Sequence, residues 1–251
     1  MPDVKKRYRL IACEVMFREI CLCAAQCRDI IDISFMEQGY HAIGDEKMRK
    51  KLQAEIDRIH AEDYDAILLC YGLCSNGTQG LRAGVPIVIP RAHDCITLLM
   101  GSKEAYREYF FANPGTFFLS SGWLERDARG YEEGFAQQSV HGKDLSYYTA
   151  LYDEETAKYL METLGDPTAN YKKIAFIHTG TGAGSEDRES ARGMAAEKDW
   201  AFEEITGNTS LIAGLLSGNW DAEKYLVVNP GDTIAPSYDD GVVAAEKVTR
   251  D

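Results

Sequence analysis

Cysteine placement says most about the chemistry open to this chain. Its seven cysteines, at 13, 21, 23, 27, 70, 74 and 95, all fall in the first 95 of 251 residues. Three short apolar runs lead into them. Leu10-Ile11-Ala12 ends at Cys13, and Ala66-Ile67-Leu68-Leu69-Cys70 precedes Tyr71-Gly72-Leu73-Cys74-Ser75-Asn76-Gly77. Val85-Pro86-Ile87-Val88-Ile89-Pro90 precedes Arg91-Ala92-His93-Asp94-Cys95. If these runs are neighbouring parallel strands, Cys13, Cys74, His93 and Cys95 gather at one rim. Three thiols and an imidazole can bind a zinc ion or supply thiolates to an iron–sulfur cluster.

Other groups on the same loops suit a reactive site. Arg91 can lower a thiol pKa or bind an anionic substrate. Asp94 can orient a ligand or attract a cation, and Asn76 can hydrogen-bond without charge. Arg91, Asp94 and Asn76 are therefore the catalytic candidates. Gly72 and Gly77 would let the backbone approach a ligand. Free cysteine is also a small hydrophobe that is often buried, so core packing competes for each thiol taken singly. Cys21, Cys23 and Cys27 sit in a helix-like segment and read as core more readily than as ligands.

The elements that must position these residues read as strands alternating with helices. Continuous apolar runs also occur at 116–119, 173–178 and 225–229, as expected of strands buried on both faces. Helical periodicity is expected over 15–31, 46–62, 103–111, 153–164 (capped by Asp153) and 185–204. The pattern predicts an α/β fold, a mostly parallel Rossmann-like sheet flanked by helices, or two lobes with a cleft at the strand carboxyl ends. Residues 122–150 read as a long polar loop, and 165–170 as a turn or linker. The division expected is a cysteine-rich half, 1–125, and an acidic half, 126–251, that completes the cleft.

In the second half, His178-Thr179-Gly180-Thr181-Gly182-Ala183-Gly184-Ser185 follows a strand and opens a helix. Gly180 and Gly182 are candidates for holding a cofactor on backbone amides. The spacing is not the dinucleotide fingerprint, and Glu186 and Asp187 would repel a phosphate. Asn229-Pro230-Gly231-Asp232-Thr233, after the last apolar run, is expected to line the same cleft.

Charge narrows the partners. The net charge is -13; residues 1–95 carry 13 basic against 14 acidic residues, so the remainder carries 14 against 26. Such acidity disfavours nucleic acid and anionic membranes. No apolar run reaches the ~20 residues of a membrane span, and Met1-Pro2-Asp3-Val4-Lys5-Lys6-Arg7 does not read as a signal peptide, so a cytoplasmic protein is expected.

Cys13 with Glu19, Tyr71-Gly72-Leu73-Cys74-Ser75-Asn76-Gly77, Pro90-Arg91-Ala92-His93-Asp94-Cys95 and Gly122-Trp123-Leu124-Glu125 together resemble an uncharacterised domain family. That family occurs in anaerobic bacteria and methanogenic archaea, often encoded near corrinoid-dependent methyltransferases. The chain departs from its pattern at Glu14 and Ser75, where glycines are expected. The resemblance implies one-carbon metabolism, with a small methyl donor or acceptor and a corrinoid protein or methyltransferase as partner. Zinc enzymes that move methyl groups between corrinoid and thiol use a His-x-Cys pair plus a further Cys, and His93, Cys95 and Cys74 resemble that set. No corrinoid-binding signature is present, so a corrinoid would come from a partner. Three functions follow as expectations. The first is a metal–thiolate enzyme or accessory factor of methyl transfer. The second is an iron–sulfur electron-transfer or cofactor-repair protein. The third is a non-enzymatic docking module.

Overall fold

Apolar runs too short for helices, each followed by glycine or a polar turn, pair here as strands. A computed structural model describes residues 4–38, 45–127, 149, 153–156, 158–159, 168–182 and 184–248. The fold is mixed α/β, with mostly parallel sheets flanked by helices. Among the described residues no helix is long and apolar enough to cross a membrane.

The first unit comprises residues 1–109, 179–181 and 206–251, so far as they are described. Its sheet has the order β2-β1-β3-β4-β8. These strands are β1 (Arg7–Cys13), β2 (Ile30–Met36), β3 (Ala66–Cys70), β4 (Ile87–Pro90) and β8 (Tyr225–Val228). The first four run parallel, and β8 lies antiparallel against β4. Helices α1 (Phe17–Gln26), α2 (Asp45–Ile56), α3 (Cys95–Met100) and α7 (Ser210–Leu216) belong to this unit. Leu10, Ile11, Leu68, Leu69, Val88 and Ile89 form the middle of its core, each with no measurable exposure or nearly so. A hairpin of β9 (Asp232–Pro236) and β10 (Val243–Lys247) completes it.

The second unit comprises 110–178 and 182–205. Its sheet has the order β5-β6-β7, from β5 (Thr116–Ser120), β6 (Lys173–His178) and β7 (Ala201–Thr206), with β5 and β6 parallel. Helices α5 (Ser121–Asp127) and α6 (Ser185–Glu197) follow β5 and β6, and the chain enters this unit within α4 (Lys103–Ala112).

Several expectations are corrected. The helix expected over 15–31 stops at Gln26, where Cys27 turns extended (φ -72, ψ 141), and the β-rich run Ile30–Met36 pairs with β1 instead. The helix expected over 185–204 stops at Glu197; Asp199 is left-handed (φ 54), and Ala201–Thr206 is a strand. Ser121–Asp127 is helical rather than loop, while 128–148 lie outside the described residues. Asp153 does cap a turn, its carboxylate accepting from the Thr156 N–H at 2.9 Å; most of the helix expected after it is not described. Residues 168–170 form the expected turn; 165–167 are not described. Because β8 is antiparallel, the segment after it points to the amino edge of the parallel strands, away from the rim it was expected to line. The division does not fall at 125/126 either, since β8 returns to complete the first sheet.

Candidate functional site

The strand order gives the sheet a switch point. β1 has β2 on one side and β3 on the other, so the connections diverge between β1 and β3. Open α/β sheets bind ligands beyond the carboxyl ends at such a switch point. Cys13 closes β1 and Cys70 closes β3 at this place. The loops carrying Cys74 and His93 follow β3 and β4 on the same rim.

Strand register then divides the thiols. Ala12 is the partner of Cys70, and side chains alternate along a strand, so Cys70 and Cys13 point to opposite faces. Cys13 meets Tyr71. Burial pushes its thiol up to about 12, and hydrogen bonds from the Val15 backbone and Tyr71 offset this only in part. Burial also raises Cys70, reinforced by Cys13, Cys23 and Glu19 nearby. Cys74 is raised first by burial and then by the Asp94 carboxylate, with Cys13 and Cys70 adding to it. These are neutral thiols packed within one another's electrostatic reach.

The two rim loops are knitted through their backbones. Leu73 N–H donates to Ala92 O at 2.9 Å, and Cys74 N–H to His93 O at 2.8 Å. Gly72 makes this possible: a Cβ there would lie 2.5 Å from Asp94 N and 2.6 Å from Ala92 O. The close approach read from Gly72 is thus to the neighbouring loop's backbone. Cys74, Ser75 and Asn76 then adopt left-handed backbone in succession, φ 48, 53 and 68. The buried Gly77 closes the turn, its N–H donating to Cys74 O at 3.0 Å. Ser75 and Asn76 are exposed, while Cys74 beneath them is buried. A run of non-glycine left-handed residues is strained, and such strain clusters at functional sites.

The remaining candidates are placed as follows. Asp94 is the N-cap of α3, accepting from Ile96 N–H at 3.0 Å and Thr97 N–H at 3.2 Å. Cys95 opens that helix and is buried. His93 is exposed, its ring 6.4 Å from that of Tyr106. Arg91 donates through Nε to Ala222 O at 2.8 Å and through Nη1 to Gly241 O and Val243 O at 3.0 and 2.6 Å. It straps the chain's closing segment to the end of β4, at the side of an open pocket of about 550 Å3 shared with Lys103, Glu223 and Asp239. Gly180 and Gly182 are left-handed, φ 84 and 106. Cys23 is buried on α1, and Cys27 donates from its thiol to Leu216 O at 3.1 Å, consistent with packing roles for both.

Glu19 carries a role that the sequence left unread. One of its carboxylate oxygens accepts the Thr179 and Thr181 hydroxyls, each at 2.6 Å, and those hydroxyls lie 2.9 Å apart. Glu19 is only 4% exposed. The available signal was a carboxylate beside Ile20 and one turn before Cys23, on an apolar helix face, where burial demands hydrogen-bond partners.

A soft metal ion matches the donor chemistry of this rim but not its arrangement. Among the described residues no group of three or more His, Cys, Asp or Glu side chains is close enough to hold one. Of the four expected ligands, Cys13, Cys74 and Cys95 are buried while His93 lies at the surface. As they stand, the residues do not fit a metal ion.

Residues 35–216 match a family described as a protein of unknown function, DUF1638, and the chain belongs to that family. The match covers Cys74, His93 and Cys95 and begins after Cys13 and Glu19. Comparison with curated proteins and with solved structures returns no match.

Proposed function

We propose that this DUF1638 member is a thiol-bearing binding protein of one-carbon transfer, either a methyltransferase or its accessory. It receives a thiophilic centre at the carboxyl edge of its first sheet, and Cys74, beneath the exposed Ser75 and Asn76, is the thiol that binds it. The centre is a corrinoid carried by a partner protein, or a zinc ion or iron–sulfur cluster that binds only once the rim loops rearrange to bring Cys74, His93 and Cys95 together. The observation that carries the reading is the strained turn Cys74–Ser75–Asn76, held against the His93 loop at the β1/β3 switch point. Strain maintained without glycine implies side chains that are needed where they are. The neutral thiols below agree with it, since a buried thiol ionises only when a cation arrives to balance it. No chemical step is routed through a metal, because the donors are not assembled around one.

The test is to purify the protein without oxygen and measure zinc, iron, acid-labile sulfide and the visible spectrum, for wild type and Cys74→Ala. Stoichiometric zinc lost in Cys74→Ala supports a metal–thiolate protein. Iron with matching sulfide supports a cluster protein. If neither is found, and corrinoid added with or without a methyltransferase causes no spectral change, the reading fails.

A further inference from the structure

The two edges of the first sheet differ in how they are protected. β8 has four residues and packs against β9 and β10. β2 has seven, Ile30-Ile31-Asp32-Ile33-Ser34-Phe35-Met36, and among the described residues nothing pairs with its outer edge. It follows β1 residue for residue, without a bulge, and contains neither Lys nor Pro. Proteins usually blunt exposed edges with those devices, because a bare edge templates pairing with another chain. The comparably apolar β3 and β4 are buried throughout, whereas every residue of β2 stays partly exposed, Ile30 by 46%.

The backbone fixes which groups are free. Ile30 N–H donates to Lys6 O in the chain segment leading into β1. In a parallel strand the N–H and C=O of one residue face the same side, and the side alternates. Ile31, Ile33 and Phe35 therefore present theirs outward.

We propose that β2 pairs with β2 of a second copy of this chain, antiparallel about a two-fold axis at Ile33, joining the two first sheets into one. In that register Ile33 faces Ile33 of the second copy and Ile31 faces Phe35. These are the residues whose outward N–H and C=O can exchange hydrogen bonds. On their face of the sheet the contacts are apolar against apolar. On the other face Asp32 falls opposite Ser34, and Ile30 opposite Met36. Asp32 is already held by Arg7 at 2.8 Å and Tyr64 at 3.0 Å, and the Ser34 hydroxyl donates to Glu55 at 2.6 Å and accepts from Arg9, so both residues enter the pair with their polar groups matched within their own chain. Moving the axis to Asp32 would oppose like charges, and moving it to Ser34 would set Asp32 against Met36; both are unfavourable. Self-complementarity of one patch is the requirement of a two-fold interface.

Light scattering coupled to gel filtration tests this on the full chain at high micromolar concentration. The expected mass is about twice 28.0 kDa. Ile33→Pro removes an outward N–H that pairs with no other strand among the described residues and returns the mass to that of the monomer. Ile30→Lys, at the most exposed position of the strand, weakens the dimer and serves if the proline variant does not fold. Circular dichroism establishes that each variant is native. A monomeric wild type, or a dimer that persists in natively folded variants, overturns the proposal.

Discussion

Two turns in this molecule reach left-handed backbone by opposite means. The turn after β3 does so with Cys74, Ser75 and Asn76. The turn after β6 uses Gly180, Gly182 and Gly184, φ 84, 106 and 78. Glycine adopts such angles without steric cost, while other residues pay ~1–2 kcal/mol each. The β6 turn is therefore relaxed and contributes shape. The β3 turn keeps three side chains at the expense of stability, and its surroundings have to hold it. All seven thiols accompany the strained turn in the first unit, and residues 110–178 and 182–205 have none.

The largest expected effect separates the two units by alkali. Cys13, Cys70 and Cys74 have folded pKa values raised from an ordinary value near 9.0, Cys13 to about 12. Below pH 9 both states hold the proton and nothing is lost. Above it the unfolded thiols ionise while the folded ones stay neutral, so stability falls as pH rises toward 12. Each thiol removes up to about 1.4 kcal/mol per pH unit. Urea titrations at pH 8 and pH 10 should show a steep fall in midpoint, shallower in Cys70→Ala; an unchanged wild-type midpoint would count against buried neutral thiols.

Next comes the seam under the strained turn. Gly72→Ala drives a methyl group into the backbone of Ala92 and Asp94 and should cost about 3 kcal/mol by thermal or urea unfolding. In the glycine turn the effects are smaller and unequal. A Cβ at Gly182 would lie 2.5 Å from Ser121 Oγ, whereas nothing lies within 4 Å at Gly180. Gly182→Ala should cost about 2 kcal/mol and Gly180→Ala about 1. If the two are equally tolerated, the crowding at Gly182 is not what selects glycine there.

The smallest effect has the opposite sign. Asn76→Gly relieves strain but loosens the unfolded chain, for a net gain of roughly 0.5 kcal/mol. Stability should rise slightly in a melting experiment while the metal or corrinoid response of the proposed site declines. A loss of stability instead would mean that Asn76 is not strained.

The rim itself was legible in sequence because apolar runs ending in Cys13, Cys70 and Pro90 are short, continuous and followed by turn residues. Their adjacency depended on parallel pairing, which the register now supplies. What stayed hidden is what depends on register. The opposition of Cys13 and Cys70 follows from the pairing of Ala12 with Cys70, which no local pattern encodes. Arg91, read as a group for substrate, is engaged by carbonyls more than 130 residues away in sequence. The first two residues of β2 fall in the helix expected over 15–31 because Ile31 lies at helical spacing from Cys27, and β-branched content outweighs that coincidence once β1 offers an edge. The short strands β7, β9 and β10 are polar enough to pass for helix or loop.

The antiparallel β8 also sets the order of assembly on the ribosome. Its partner β4 is complete by residue 90, yet Tyr225–Val228 emerges only after all of the second unit has been made. Through most of synthesis β4 has an open flank, and the nascent chain must keep it from mispairing until its closing strand arrives. The second unit is synthesised in full, as an insertion within an unfinished host, before that strand arrives. Long-range pairing of this kind slows the final step of folding. A chain cut short before residue 225 would leave β4 without its closing strand.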